Sequence, residues 1–337
     1  MIVKKRTLPL KILKNNALLL RLPPDNSNIP DIKTDLAKRM AGYRGEQSLD
    51  FHLSKLSEKD YYVFHGVRLT NGKYYFQIDS LILTASFALI LEVKNYSGVL
   101  YFDPVCNQLI QRNAAGEEKG YANPIEQANQ QMKELRKWFN KRNINLPIEF
   151  LVLISKPSTI IKTEPSFARS LQKVKHVQFL NSEIQRFRQF YNERFDTKEL
   201  RRICRQITKE HQTENLDILA CYKISFSEIK TGIVCPSCYS LPMKRHFAMW
   251  YCPKCKTTDR DAHYQAVIDL FLLNNDVPAS NQDFRDFFNL SSRSITVKLL
   301  HSLNIPHTGT NKGRRYHPPP NYQNITDLNS STTKPPQ

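Results

Sequence analysis

The sequence predicts a mixed α/β protein, a β-sheet flanked by helices, followed by two smaller modules. Three observations carry that expectation. Short apolar runs rich in aromatic and branched residues, at 61–69, 74–83 and 87–94, read as strands. Segments of helical period lie on either side of them, and a further apolar run at 148–154 follows the second of these helices, as in a crossover to a parallel strand. Finally, four of the seven cysteines sit in two close pairs beyond residue 230, outside the strand-rich region.

The elements follow in order. Residues 1–30 are basic and end in Pro23-Pro24 and Pro30, which reads as an arm that packs loosely or binds a partner. From residue 31, the spacing of Ile32, Leu36, Met40 and Tyr43, continued by Leu49, Leu53 and Leu56, predicts a helix carrying Glu46. After the three strands, Asn95 to Gly98 turn the chain, and 99–102 with 108–112 form a further hairpin. Asn123 caps a helix with Pro124 at its first position and Glu126 completing a capping box; its stripe is Ile125, Ala128, Met132, Leu135 and Phe139. A last strand spans 174–180. Residues 181–213 read as basic helices, in which Arg186, Arg188, Arg194, Arg201, Arg202 and Arg205 either track phosphates or, as we prefer, form a solvated face with Glu183, Glu193 and Glu199. The resulting division is a basic arm (1–30), a main domain (31–180), a basic helical linker (181–230), a cysteine module (231–260), a helical module (261–317) and a disordered tail (318–337).

Composition narrows the function. Among 337 residues, 49 Lys and Arg against 31 Asp and Glu leave a net charge of +18, which favours a polyanionic partner, nucleic acid or an anionic membrane. No stretch suits a membrane span, since 81–93 is interrupted by Thr84, Ser86 and Glu92. The N-terminal apolar stretch is broken by Lys11, Lys14, Asn15 and Asn16, so no secretory signal is expected and the cytoplasm is the default location.

The sharpest chemical signal is charge at the rims of two apolar strands: Gln77-Ile78-Asp79 on one and Glu92-Val93-Lys94-Asn95 on the next. Ionised groups there are costly unless paired, solvated or bound to a metal. If Ala85 and Ser86 form the turn, residues pair when their numbers add to 171, which sets Asp79 opposite Glu92. Opposed Cβ atoms lie roughly 4.5–5.5 Å apart, and Lys94 emerges on the face of Glu92. Two such acids repel unless a divalent cation lies between them, and Mg²⁺ suits a carboxylate pair completed by water. The competing reading is a surface salt-bridge cluster at a sheet edge.

Asp, a spacer, then Glu-x-Lys on the following strand resembles the PD-(D/E)xK nuclease superfamily. The longer string, Gly42-Tyr43-Arg44-Gly45-Glu46, Gln77-Ile78-Asp79, Glu92-Val93-Lys94-Asn95, Gly98 and Asn123-Pro124 through Gln127, is similar to the nuclease-related domain NERD over about residues 40–155. Ile78 stands where the superfamily name has proline. The resemblance implies a restriction-endonuclease-like core, with Asp79 and Glu92 holding Mg²⁺ or Mn²⁺ and Lys94 orienting water or offsetting transition-state charge. Glu46 would complete the metal shell or act as a base through water, and Gln127 would position the site. For Glu46 and Gln127 a plain solvated role is the alternative.

Cys235-x-x-Cys238 and Cys252-x-x-Cys255 have the spacing of a tetrahedral zinc site built as a ribbon, and four sulfurs make it structural rather than catalytic. Disulfides are the alternative, disfavoured in the cytoplasm. Cys106, Cys204 and Cys221 read as ordinary semi-buried side chains. Beyond them, helices at 262–273, 281–290 and 291–303 followed by a basic stretch resemble a helix-turn-helix, with or without a wing. In that reading Ser292, Arg293, Thr296 and Lys298 face a DNA groove, while Lys312, Arg314 and Arg315 grip phosphates; the alternative is a helical protein-interaction module. The sequence thus points to a metal-dependent nuclease acting on nucleic acid, DNA before RNA. The other reading is a non-catalytic DNA-binding or regulatory protein with a nuclease-like scaffold, and a membrane-surface protein is a weaker third. It assigns no oligomeric state.

Overall fold

A computed structural model describes residues 1–320 and Tyr322, so most of the tail at 318–337 lies outside the described residues. The chain begins with β1 (Ile2–Lys4), α1 (Leu10–Arg21), α2 (Ile29–Gln47) and α3 (Asp50–Leu53). Next come β2 (Tyr62–Thr70), β3 (Tyr75–Leu83), β4 (Ala88–Lys94), β5 (Val99–Asp103), β6 (Gln108–Arg112), β7 (Glu118–Ala122) and α4 (Pro124–Asn140). Then follow β8 (Ile148–Ile154), β9 (Ile160–Thr163), β10 (Val174–His176), α5 (Leu180–Phe190), α6 (Thr197–Glu210) and α7 (Ile218–Tyr222). The last stretch holds β11 (Lys244–His246), β12 (Met249–Tyr251), β13 (Thr258–Asp259), α8 (His263–Leu273), α9 (Asn281–Phe288), α10 (Arg293–Ser302), β14 (His307–Thr308) and β15 (Arg315–Tyr316).

Two compact units result: Met1–Thr7 with Met40–Thr213, and Leu8–Arg39 with the described residues from Glu214 onward. The first is a mixed six-stranded sheet in the order β1-β2-β3-β4-β8-β10, with β2, β3 and β4 antiparallel and the β1–β2, β4–β8 and β8–β10 pairs parallel. Leu135, Trp138 and Phe139 of α4 and Leu200, Ile203 and Ile207 of α6 pack on one face. Leu53 of α3 and Ile184 and Phe187 of α5 pack on the other. A four-stranded sheet, β7-β6-β5-β9, stands beside it; the polar composition of β7 hid that strand in the sequence.

The β3–β4 hairpin has the expected register from Ser80 to Leu83, with Ser80 on Leu91, Leu81 on Ile90, Ile82 on Leu89 and Leu83 on Ala88. The pairing ends there, and Asp79 is not paired opposite Glu92 as expected; its carboxylate accepts from Val93 N instead. Its turn is held by the Thr84 hydroxyl, which accepts from Ser86 N at 3.1 Å and Phe87 N at 2.9 Å. Asn123 caps α4 by accepting from Ile125 N at 3.0 Å, but Glu126 closes no capping box and accepts instead from Asn129 at 3.4 Å. The predicted helix over residues 31–56 is interrupted after Gln47. The strand expected over 174–180 ends at His176, where a 3₁₀ turn leads into α5.

Residues 1–30 are no loose arm. Residues 2–4 are a sheet strand, and α1 buries Leu10, Ile12, Ala17 and Leu18 in the second unit. Two of the polar residues that break its apolar stretch, Lys14 and Asn15, are buried with partners. Lys14 Nζ donates to Asn215 Oδ1 (2.6 Å), Leu216 O (2.7 Å) and Asn275 Oδ1 (2.8 Å), and Asn15 Nδ2 donates to Asp35 Oδ2 (2.9 Å). The second unit otherwise comprises α7 to α10, a three-stranded antiparallel sheet β11-β12-β13, and the β14–β15 hairpin. Among the described residues, no helix is long and apolar enough to cross a membrane.

Candidate functional site

In the first unit, inward-facing residues alternate along β4: Ala88 and Ile90 join the α4 core, while Leu89 and Leu91 join the opposite one. Glu92 and Lys94 continue the α4 side. Along β2 and β3 the alternation breaks. Tyr62 and Phe64 face the same core as Val67 and Leu69, and Leu83 and Leu81 the same core as Ile78. The break falls where Gly66 (φ +59°) and Asp79 drop out of an otherwise continuous pairing. Only a glycine takes that left-handed conformation cheaply, so a local distortion lies directly beside Asp79.

The polar groups meet there. Asp79 Oδ2 accepts from Val93 N at 3.1 Å, Lys94 Nζ donates to Glu92 Oε1 at 2.7 Å, and Lys94 Nζ also donates to Gln127 Oε1 at 2.9 Å. Glu92 is 1% exposed, and its other oxygen accepts from Gln131 Nε2 at 2.7 Å. Gln131, one turn beyond Gln127 on α4, was not singled out from the sequence. The signal was a polar residue inside the apolar stripe of Ala128 and Leu135.

Glu46 reaches the site from α2. Gly45 permits the approach, because a Cβ there would lie 2.6 Å from Asn95 Cβ. Asn95 in turn donates to Ala41 O at 2.7 Å and accepts from Ser155 Oγ at 2.9 Å, joining α2 to the ends of β4 and β8. Arg6, just past β1, donates to Glu46 Oε2 at 2.7 Å, to Asp50 Oδ1 at 3.0 Å and to His65 Nδ1 at 2.9 Å. His65 also contacts Ser80 Oγ at 2.9 Å. Burial, then the charges of Arg6 and Lys4, lower the His65 imidazole to about 3, so it remains neutral and accepts from Arg6.

The electrostatics are those of crowded acids. Burial, reinforced by Glu92 and then Glu46, holds the Asp79 carboxyl well above its ordinary range, against the opposing pull of Val93 N and Lys94. Burial likewise raises Glu46, with Glu92 and Asp50 adding to the effect and Arg6 opposing it. Burial would lower the Lys94 ammonium, but Glu92 and Asp79 outweigh it and raise the group overall. All five residues expected from the sequence therefore share one neighbourhood. Glu46, Asp79 and Glu92 are nonetheless not drawn into a tight ligand set; among the described residues, the only group of three or more acids, histidines or cysteines placed to hold a metal is the four cysteines. Arg6 keeps Glu46, while Lys94 and Gln131 keep Glu92.

In the second unit, the Sγ atoms of Cys235, Cys238, Cys252 and Cys255 lie within 4.8 Å of one another. β11 and β12 form the hairpin between the two pairs. Cys255 N points to Cys252 Sγ at 3.5 Å, as in a metal knuckle. Burial would raise the Cys252 thiol, but this amide and the Ser240 hydroxyl bring it to about 6. Of the other cysteines, Cys204 is buried while Cys106 and Cys221 are exposed rather than semi-buried.

The predicted groove-facing residues divide. Arg293, Lys298, Lys312 and Arg315 are exposed and Arg314 is half-buried. Thr296 is fully buried with its hydroxyl donating to Ser292 O at 3.1 Å, so it faces the core and not a groove. A threonine that satisfies its hydroxyl on its own helix can be buried, which its residue type alone does not reveal.

Residues 41–155 match the family model of the nuclease-related domain, NERD. The stretch contains Glu46, Asp79, Glu92, Lys94, Gln127 and Gln131. The matched residues lie within the mixed α/β first unit. No curated protein and no solved structure matches the chain.

Proposed function

We propose that this protein is a divalent-metal-dependent nuclease that hydrolyses phosphodiester bonds in DNA, with its second unit binding the nucleic acid. One observation carries the reading: Asp79, Glu92 and Lys94 are gathered where the pairing of β3 with β4 ends, and burial, reinforced by Glu92 and Glu46, holds the Asp79 carboxyl well above its usual range. Asp79 Oδ1 and Glu46 Oε1 have no hydrogen-bond partner among the described residues and remain able to take a cation. A site of one or two carboxylates suits Mg²⁺ or Mn²⁺, which otherwise keep water and substrate phosphate as ligands. When bound, such an ion polarises a phosphoryl oxygen and lowers the pKa of water.

Asp79 and Glu92 would hold the ion, and Glu46 stands ready beside them with Arg6 tempering its charge. Lys94, already charged by its acidic neighbours, offsets negative charge developing on the phosphate and can donate to the attacking water. Gln127 fixes the Lys94 ammonium, and Gln131 fixes Glu92. The four cysteines suit structural zinc, since four sulfurs leave no open position. Three consecutive helices and a two-stranded hairpin with Lys312 and Arg315 exposed support a winged helix-turn-helix reading of the C-terminal module.

The deciding experiment incubates the purified protein with plasmid and linear DNA in Mg²⁺, Mn²⁺ or chelator, beside Asp79→Ala and Lys94→Ala. Metal-dependent cutting that falls by about 10²-fold or more in Lys94→Ala and disappears in Asp79→Ala is expected. Cutting that survives in Asp79→Ala defeats the site assignment. Salt-sensitive DNA binding without cutting by any variant supports the scaffold reading instead.

A further inference from the structure

The second unit contains a concave cleft that the groove-reading model does not explain. It lies between the start of α9, α10 and the β14–β15 hairpin, with a volume of about 370 Å³, within the range of small-ligand sites. Arg285, Arg293, Lys312, Arg314 and Arg315 line it, and no carboxylate does. None of the five forms a salt bridge with a described carboxylate. The nearest acids on α9 are committed elsewhere, Asp283 accepting from Ser280 N at 2.7 Å and Asp286 from Gln282 Nε2 at 2.7 Å.

Five like charges brought to one concavity repel each other; Arg285 donates to Ser291 O at 3.2 Å and to Gln282 Oε1, and none of the five is paired with a carboxylate among the described residues. Polar atoms there are also left without partners: both side-chain heteroatoms of Asn281, Nε of Arg285 and Nε of Arg314 are buried and make no hydrogen bond. Buried polar atoms in that state are costly, and here they belong to residues that line the cleft. The cleft is also preformed. Tyr316 exchanges backbone hydrogen bonds with Ala279 at 2.8 and 2.9 Å, and its ring meets Phe284 edge-on at 5.7 Å, which fixes the hairpin to the entry of α9. The hairpin turn closes tightly, since a Cβ on Gly309 would lie 2.6 Å from Gly313 O, and Lys312 and Arg314 on it line the cleft.

We propose that this cleft is a receptor for a phosphate group of a nucleic-acid strand. The inference rests on the nucleic-acid reading above and deepens it. Planar guanidinium forks match phosphate oxygens, and several forks around one concavity suit a single phosphoryl group better than the spread row of phosphates along a duplex face. The same chemistry is offered by an internal phosphodiester and by a terminal phosphomonoester, which carries more charge.

The test uses full-length Asp79→Asn protein and fluorescent single-stranded oligonucleotides bearing either a 5′-phosphate or a 5′-hydroxyl, with binding followed by anisotropy across a salt series. Arg293→Ala/Arg315→Ala, both at exposed positions, is expected to weaken binding by about tenfold or more and to flatten the salt dependence by about 1 to 2 in log–log slope. Arg293→Lys/Arg315→Lys, which keeps charge but loses the forks, should fall between the two. Thermal melting and zinc content confirm that each variant is folded. Preference for the 5′-phosphate, together with competition by inorganic phosphate, identifies the terminal group as ligand. Equal loss with both oligonucleotides identifies the internal diester. Unchanged affinity and salt slope in the alanine variant overturn the proposal, as does transfer of binding to anionic vesicles that oligonucleotides do not displace. Because the readout is binding by a protein that need not cut, an absence of nuclease activity leaves this result standing, and a failed cleft leaves the nuclease assay standing.

Discussion

The guanidinium of Arg6 holds Glu46 Oε2 at 2.7 Å across forty residues of sequence, with only 7% of the Arg6 side chain exposed. A residue in the first turn of chain thereby balances an acid beside the candidate catalytic cluster. Removing one partner of such a shielded pair leaves the other uncompensated, at a cost of about 2 kcal/mol. Arg6→Ala should therefore lower urea stability by about that amount, and Arg6→Ala/Glu46→Gln should recover much of the loss. A double-mutant cycle in which the two costs simply add would show that the pair is not coupled.

Asp79 is expected to be a liability to the fold. Its pKa is raised in the folded state, by burial and then by Glu92 and Glu46. An acid of this kind destabilises the native state progressively as pH rises from its unfolded pKa, about 4, up through its folded one, because the unfolded chain gives up the proton first. Asp79→Asn should raise the metal-free Tm by a few degrees at neutral pH, with the gain fading as pH falls toward about 4. The same change should abolish the rise in Tm that Mg²⁺ or Mn²⁺ produces in the parent. A Tm for Asp79→Asn below the parent at neutral pH, without metal, would contradict this.

Gln131 offers a test of positioning rather than chemistry. Its amide donates to Glu92 Oε2, while its own Oε1 is buried without a partner. Gln131→Leu keeps the helix packed but releases one oxygen of Glu92, and groups that orient metal-binding side chains typically matter by about 10–100-fold. The metal concentration for half-maximal cutting should rise within that range, with activity recovered at high metal. An unchanged metal dependence would reduce Gln131 to a packing residue.

What the sequence made legible here was local. The β3–β4 register followed from alternating side chains and a short turn, and the helix cap at Asn123 from residue type and spacing. Arg6 was hidden because parallel pairing of β1 with β2 is a long-range event that no short window records. Basic charge and prolines make residues 1–30 look like a loose arm, and the burial of Lys14 in α1 is not visible from the sequence because its three acceptors lie some two hundred residues away or more. Thr296 was placed outward for the opposite reason, its satisfied hydroxyl letting it sit in the core. In each case the missing information was the identity of a distant or intrahelical partner for a polar group.

The second unit makes the same point through Arg21, whose Nε donates to Asp269 Oδ2 at 2.8 Å with both side chains at most 1% exposed. Arg21 also donates to Lys230 O at 3.2 Å and Gly232 O at 3.1 Å, and stacks over the Phe287 ring at 4.4 Å. One side chain thus joins α1, α8, α9 and the segment leading to the cysteine cluster. Breaking a buried pair from one side is far more costly than replacing both partners, because a lone buried charge has no compensation. Asp269→Ala should cost about 3–5 kcal/mol, whereas Arg21→Met/Asp269→Leu should lie much nearer the parent. Unfolding monitored by Trp250 fluorescence in a Trp138→Phe background, since Trp250 is 1% exposed in the same core, reads the unit directly. Equal losses in the single and double variants would mean that the hydrogen bonds to Lys230 and Gly232, rather than the ion pair, hold α1 in place.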